Sequence, residues 1–123
     1  MTIWVAQEPR GTGIDLQVLY EYAKKEPVRF VFTKAFNISQ HPQESMATAE
    51  NFAAQFDFKN DRIVLAGGDP LAGIFLAIAL TQEAEAAGAH SFRSLRYVRA
   101  RDEHGERTVP QYIPITIPIG TPR

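Results

Sequence analysis

Gly67-Gly68-Asp69-Pro70 stands where an apolar run meets a helical pattern, and a turn of this kind presents backbone N–H groups to an anion. Glycine lets a phosphate approach the main chain, and the helix dipole favours negative charge at that end. In an open parallel sheet the loops at the carboxyl ends of the strands meet. That brings Arg10, Gly11 and Thr12 of one loop, and Lys34 of another, to the same edge. Arg10, Gly11, Thr12, Lys34, Gly67, Gly68 and Asp69 thus form a candidate site for a nucleotide phosphate or another small phosphorylated ligand. Known phosphate loops differ from it. A dinucleotide fingerprint needs glycine where Asp69 and Ala72 stand, and no Gly-Lys-Ser/Thr is present. Asp69 is also a good helix cap, so its own carboxylate competes for the helix end. The plain alternative is a tight strand-to-helix turn, with Gly73 permitting close packing on the sheet.

A second group lies near the carboxyl end of the chain. Strand alternation puts Arg93, Arg99 and Arg101 on one face with Leu95 and Tyr97, and Arg96 on the other. Arginine beside tyrosine on an exposed sheet contacts phosphate and stacks on bases, and both residues are enriched where proteins meet. Charge speaks against nucleic acid. The net charge is −1 and the sequence pI about 6.3, without a basic footprint. Residues 1–92 hold 7 basic against 11 acidic side chains, and residues 93–123 hold 6 arginines against 3 acids. Local pairing with Asp102, Glu103 and Glu106 on a solvated edge is the plain alternative.

No constellation of catalytic residues stands out. His41, His90 and His104 are scattered and fall in predicted loops, and neither a Gly-x-Ser-x-Gly elbow nor a zinc motif occurs. With no cysteine, thiol catalysis, disulfides and cysteine-held metals are excluded. Asp61 and Asp69 bracket one short strand, too far apart to cooperate. Glu8, Arg10 and Asp69 share the predicted carboxyl edge without a recognisable reaction. The sequence assigns no catalytic residue, no metal and no cofactor.

The elements that position these groups follow from periodicity. Thr2–Ala6 reads as a strand. Asp15 caps a helix running through Lys25, with Leu16, Leu19, Tyr20 and Ala23 on one face. Val28–Thr33 is a strand, and Pro42 opens a helix to about Phe56 with Met46, Ala49, Phe52, Ala53 and Phe56 on one face. Arg62–Ala66 is apolar on successive residues, as in a strand covered on both faces. Asp69 and Pro70 start a helix that Gly88 stops; it is apolar nearly all round until Thr81, so it should pack against more than one element. Phe92–Arg101 and Arg107–Ile119 form a hairpin. Pro110, Pro114 and Pro118 make its second strand an edge strand, which offers a pairing surface to a partner.

The order β-α-β-α-β-α-β-β predicts an α/β fold: a three-layer α/β/α sandwich with a mostly parallel sheet and a C-terminal antiparallel hairpin. Its 123 residues fit a single domain, 1–123. Met1–Gln7 lacks the features of a signal peptide, and Gly67, Gly68, Asp69 and Pro70 break the apolar stretch Ile63–Thr81. A protein outside the membrane, in a reducing cytoplasm, is expected.

From Ile63 through Ile119 the chain resembles a class of small uncharacterised α/β proteins encoded by tailed bacteriophages. The shared pattern is the strand–Gly-Asp-Pro–helix segment Ile63-Val64-Leu65-Ala66-Gly67-Gly68-Asp69-Pro70, the small-residue helix Ala72–Ala79, and a closing hairpin through Leu95–Val98 and Tyr112–Ile117. Trp4 in the first strand and Pro9-Arg10 look similar too. Arg96-Tyr97-Val98 stands where the pattern has a Lys-Trp-Asp-like run. The resemblance implies a viral accessory protein in a bacterial host cytoplasm and transfers no functional residue. Three functional expectations follow. The first is a non-catalytic accessory module that binds a host or viral protein and forms a homo-oligomer. The second is a small-ligand or nucleotide-phosphate binder at the carboxyl edge, and the third a weak nucleic-acid binder through the arginine-rich hairpin.

Overall fold

The computed structural model of the protein describes residues 1–9, 15–98, 103–106 and 109–120. Five strands form one sheet: β1 (Ile3–Gln7), β2 (Val28–Phe32), β3 (Arg62–Val64), β4 (Ser91–Val98) and β5 (Gln111–Pro118). Their order is β2-β1-β3-β4-β5, with β1 to β4 mutually parallel and β5 antiparallel to β4. Helices α1 (Leu16–Ala23), α2 (Pro42–Gln55) and α3 (Pro70–Ala87) connect the parallel strands.

Handedness decides which face each helix covers. The step from β1 to β2 runs one way along the sheet, and the steps to β3 and β4 run the other way. Right-handed crossovers therefore put α1 on one face and α2 with α3 on the opposite face. The two cores confirm it. Leu19 and Ala23 of α1 pack with Ile3, Val5, Val64, Leu95 and Tyr112. On the other side Phe52, Leu76 and Leu80 pack with Ala6, Phe32, Ile63 and Phe92. This is the α/β/α sandwich that the alternation of elements predicts.

Aromatic side chains fill the larger core. Trp4 meets Phe52 edge-on at 5.1 Å, and Phe56 contacts Phe52 at 5.6 Å and Phe58 at 5.2 Å. At the amino ends of the strands the buried Asp61 carboxylate accepts hydrogen bonds from Thr2 N, Trp4 Nε1 and Asp57 N at 2.8, 3.2 and 3.0 Å. These bonds fix the start of β3 against β1, so the carboxyl ends of both strands are set as well.

Several predicted boundaries shift. The first helix ends at Ala23 rather than Lys25, and Tyr20 is 49% exposed instead of facing the core. β3 stops at Val64, because the chain turns away before Gly67. The fourth strand starts one residue earlier than predicted, at Ser91, and the fifth ends at Pro118 rather than Ile119. Among the described residues, no helix is long and apolar enough to cross a membrane.

Candidate functional site

The crossover direction reverses between β1 and β3, and at such a switch point the loops after the strands leave a crevice. Gln7, the last residue of β1, lies in this position and is 4% exposed. Its Nε2 donates to the carbonyls of Thr33 and Phe36, each at 3.0 Å, and its Oε1 accepts from Asp69 N at 2.7 Å. One amide thus ties together the loops after β1, β2 and β3. In the sequence nothing marks it beyond a polar residue at the end of an apolar run.

Gln7 also accounts for Gly68. Gly67 and Gly68 have φ of 103° and 65°, a region that side chains rarely adopt. A Cβ at Gly68 would collide with Gln7 Oε1. The space that glycine leaves is therefore taken by the protein's own side chain. Asp69 completes the closure: its Oδ1 accepts from Leu71 N at 2.9 Å, and Ser39 Oγ donates to its Oδ2 at 3.4 Å. A carboxylate already holds the start of α3, where a bound phosphate would have to sit. Gly73 meets the expectation of close packing, since a Cβ there would lie 3.1 Å from the Leu65 carbonyl.

The predicted ligand residues are only partly brought together. Gly67, Gly68 and Asp69 adjoin the Lys34 loop through Gln7 and Ser39, while Arg10, Gly11 and Thr12 lie outside the described residues. Lys34 itself is exposed.

The arginine-rich hairpin differs from its expectation in one respect. Tyr97 is half-buried against the α1-side core and packs on Tyr112 with ring centroids 5.3 Å apart. Its ring is used by the fold, because the odd-numbered positions of β4 face α1. Tyr112 is buried and donates from its hydroxyl to the Asp15 carbonyl at 3.3 Å. Arg93 and Arg96 are exposed on opposite faces, and Arg99 and Arg101 lie outside the described residues.

The edge strand is a poorer pairing surface than its position suggested. Ile119 N donates to the His90 carbonyl at 2.8 Å, and β5 pairs with β4 antiparallel. Alternation along such a ladder turns the N–H of Ile113, Ile115 and Ile117 toward β4 and the even-numbered positions outward. Pro114 and Pro118 occupy two of those outward positions, with Pro110 in phase just before the strand. Of the outward sites within β5, only Tyr112 and Thr116 keep an N–H, so the prolines blunt strand addition.

A different surface is open. Leu71, Ile74 and Ile78 are 37%, 54% and 43% exposed and share one face of α3. Residues 70–82 carry no charge. The expectation that this helix packs against several elements holds for α2 and the sheet, yet this stripe remains uncovered.

No family model, curated protein or solved structure significantly matches the chain.

Proposed function

We propose that the protein is a binding module rather than an enzyme, that it associates through the exposed stripe of α3, and that the occupant is a second copy of the chain. The observation that carries this reading is the exposure of Leu71, Ile74 and Ile78 on a charge-free stretch of helix. A helix apolar all round is normally covered on every side. The sheet offers less at β5, where prolines take outward N–H positions.

Charge favours a two-fold arrangement. The acids of α3, Glu83 and Glu85, lie toward its carboxyl end. Antiparallel pairing about an axis near Ile74, the middle of the stripe, leaves the acids of the two copies roughly 30 Å apart along the helices. That exceeds the Debye length of about 8 Å at physiological salt. Parallel pairing would bring them together. A two-fold contact also needs only one self-complementary patch, which an apolar stripe supplies. The stripe amounts to a few hundred Å² per copy, against about 800 Å² per partner in a standard interface, so the association is weak. The likeness to phage-encoded proteins supports an accessory role in a bacterial cytoplasm.

Sedimentation of the wild type and of Ile74→Arg and Ile78→Arg tests this reading. The wild type should show a dimer whose fraction rises with concentration, and each variant should stay monomeric with an unchanged unfolding midpoint. A wild type that remains monomeric up to about 1 mM would refute it, as would variants that dimerise equally well.

A further inference from the structure

The turn joining α1 to β2 holds a lysine in a conformation that suits glycine. Glu26 N donates to the Ala23 carbonyl at 3.0 Å, closing a four-residue turn whose first central residue, Lys24, has φ 56° and ψ −104°. That is the first central position of a type II′ turn, where glycine is the usual residue. Among the described non-glycine residues, only Lys24 has positive φ. Residues held in such conformations cluster at functional sites and ligand clamps.

This turn lines a cleft of about 440 Å³ together with Tyr22, Lys25, Glu26 and Arg62. The volume falls within the range of small-molecule sites. Lys24, Lys25 and Arg62 against Glu26 leave a local charge of +2. A fourth cation stands nearby, because Arg93 is the register partner of Arg62 in the β3–β4 ladder and lies on the same face.

The ion pair at the base of the cleft is incomplete. Arg62 Nη1 lies 3.7 Å from Glu26 Oε2, and among the described residues neither Arg62 Nε nor Glu26 Oε2 has a hydrogen-bond partner, although both atoms are buried. Buried polar atoms are almost always paired, and a neighbouring pair of exceptions calls for a cause. A guanidinium held short of hydrogen-bonding distance loses no hydrogen bond to Glu26 when it turns toward another anion.

We propose that this cleft binds the phosphate group of a small soluble phosphate ester, with Lys24, Lys25 and Arg62 as its counter-charges and Arg93 at its rim. A phosphate dianion matches the local charge, and the planar guanidinium suits its oxygens. The site lies away from the α3 stripe, so it stands or falls independently of self-association.

Isotope-labelled full-length protein titrated with inorganic phosphate and with glycerol phosphate, at constant ionic strength and with chloride as control, tests the proposal. Amide shifts should saturate at Tyr22–Glu26, Arg62 and Arg93. Lys24→Gly combined with Lys25→Ala should weaken binding roughly tenfold, and the fold should survive because glycine suits the turn. Glu26→Gln should tighten binding by removing the competing carboxylate. Shifts that chloride reproduces, that fall elsewhere, or that ignore the double variant would overturn the site. Binding to phosphatidic acid vesicles without binding to either soluble phosphate would overturn it as well, by assigning the cleft to a lipid headgroup.

Discussion

At the turn after β3, Gly68 opens space beside the main chain, and Gln7 fills it with an amide that satisfies three backbone groups. At the turn after α1, Lys24 occupies a glycine-like conformation, and the charges beside it are incompletely paired. The first turn has the look of an anion site and is closed by the protein itself. The second has no motif and leaves cations facing a cleft. Glycines in a loop show only that something approaches the backbone there. Whether that is a ligand or a neighbouring side chain depends on what the rest of the fold puts opposite.

The largest effect should come from breaking the closed turn. Gln7→Ala leaves Asp69 N and two carbonyls without their partner in a buried place, and should destabilise the fold by about 3 kcal/mol in denaturant unfolding. Gly68→Ala should lose about 2 kcal/mol, from φ strain together with the collision on Gln7. In a Gln7→Gly background, which also removes the Cβ that would lie 2.6 Å from the new one, that loss should fall to about 1 kcal/mol, the part due to φ alone. A strictly additive cycle would show that Gln7 is not what confines Gly68.

Lys24→Gly sharpens the other half of the comparison. It should stabilise the protein by about 1 kcal/mol, since glycine adopts this conformation without strain. A loss of stability would mean that the lysine side chain holds the turn rather than being held by it.

The smallest effect concerns pH. Burial, ahead of other causes, pushes the Tyr112 phenol up from 10.0 to about 12. The folded protein thus keeps a proton that the unfolded chain releases near pH 10. The resulting contribution to stability is complete below that pH and is lost as pH rises toward 12. Tyr112→Phe should make the alkaline fall in stability shallower between pH 10 and 12, by comparison with the wild type. Parallel curves would show that the phenol titrates alike in both states.

The regular framework was legible because local chemistry and periodicity set it. Asp69 and Pro70 start α3 and Gly88 ends it in the left-handed conformation, as predicted. Asp15 accepts from Val18 N at 3.1 Å at the start of α1. Phe52 and Ala53 are buried with Ala49 as the helical spacing required. The candidate sites were harder to read. Alternation places Tyr97 on the same face as Leu95, but nothing in it shows that α1 and Tyr112 cover that face. Arg62 and Glu26 are separated by 36 positions, and no local pattern links them.

By itself the sequence determined the kinds of element, their order and their caps, since each depends on residues within a few positions of one another. It also placed prolines four positions apart, in a single phase of the last strand, which made that strand an edge. Tertiary structure decided what each loop meets. Only when the crossovers bring β1 beside β3 does Gln7 reach Asp69, and only when β2 follows α1 beneath the sheet do Lys24 and Lys25 come to Arg62. Long-range juxtaposition depends on strand order and handedness, which no short stretch of sequence encodes.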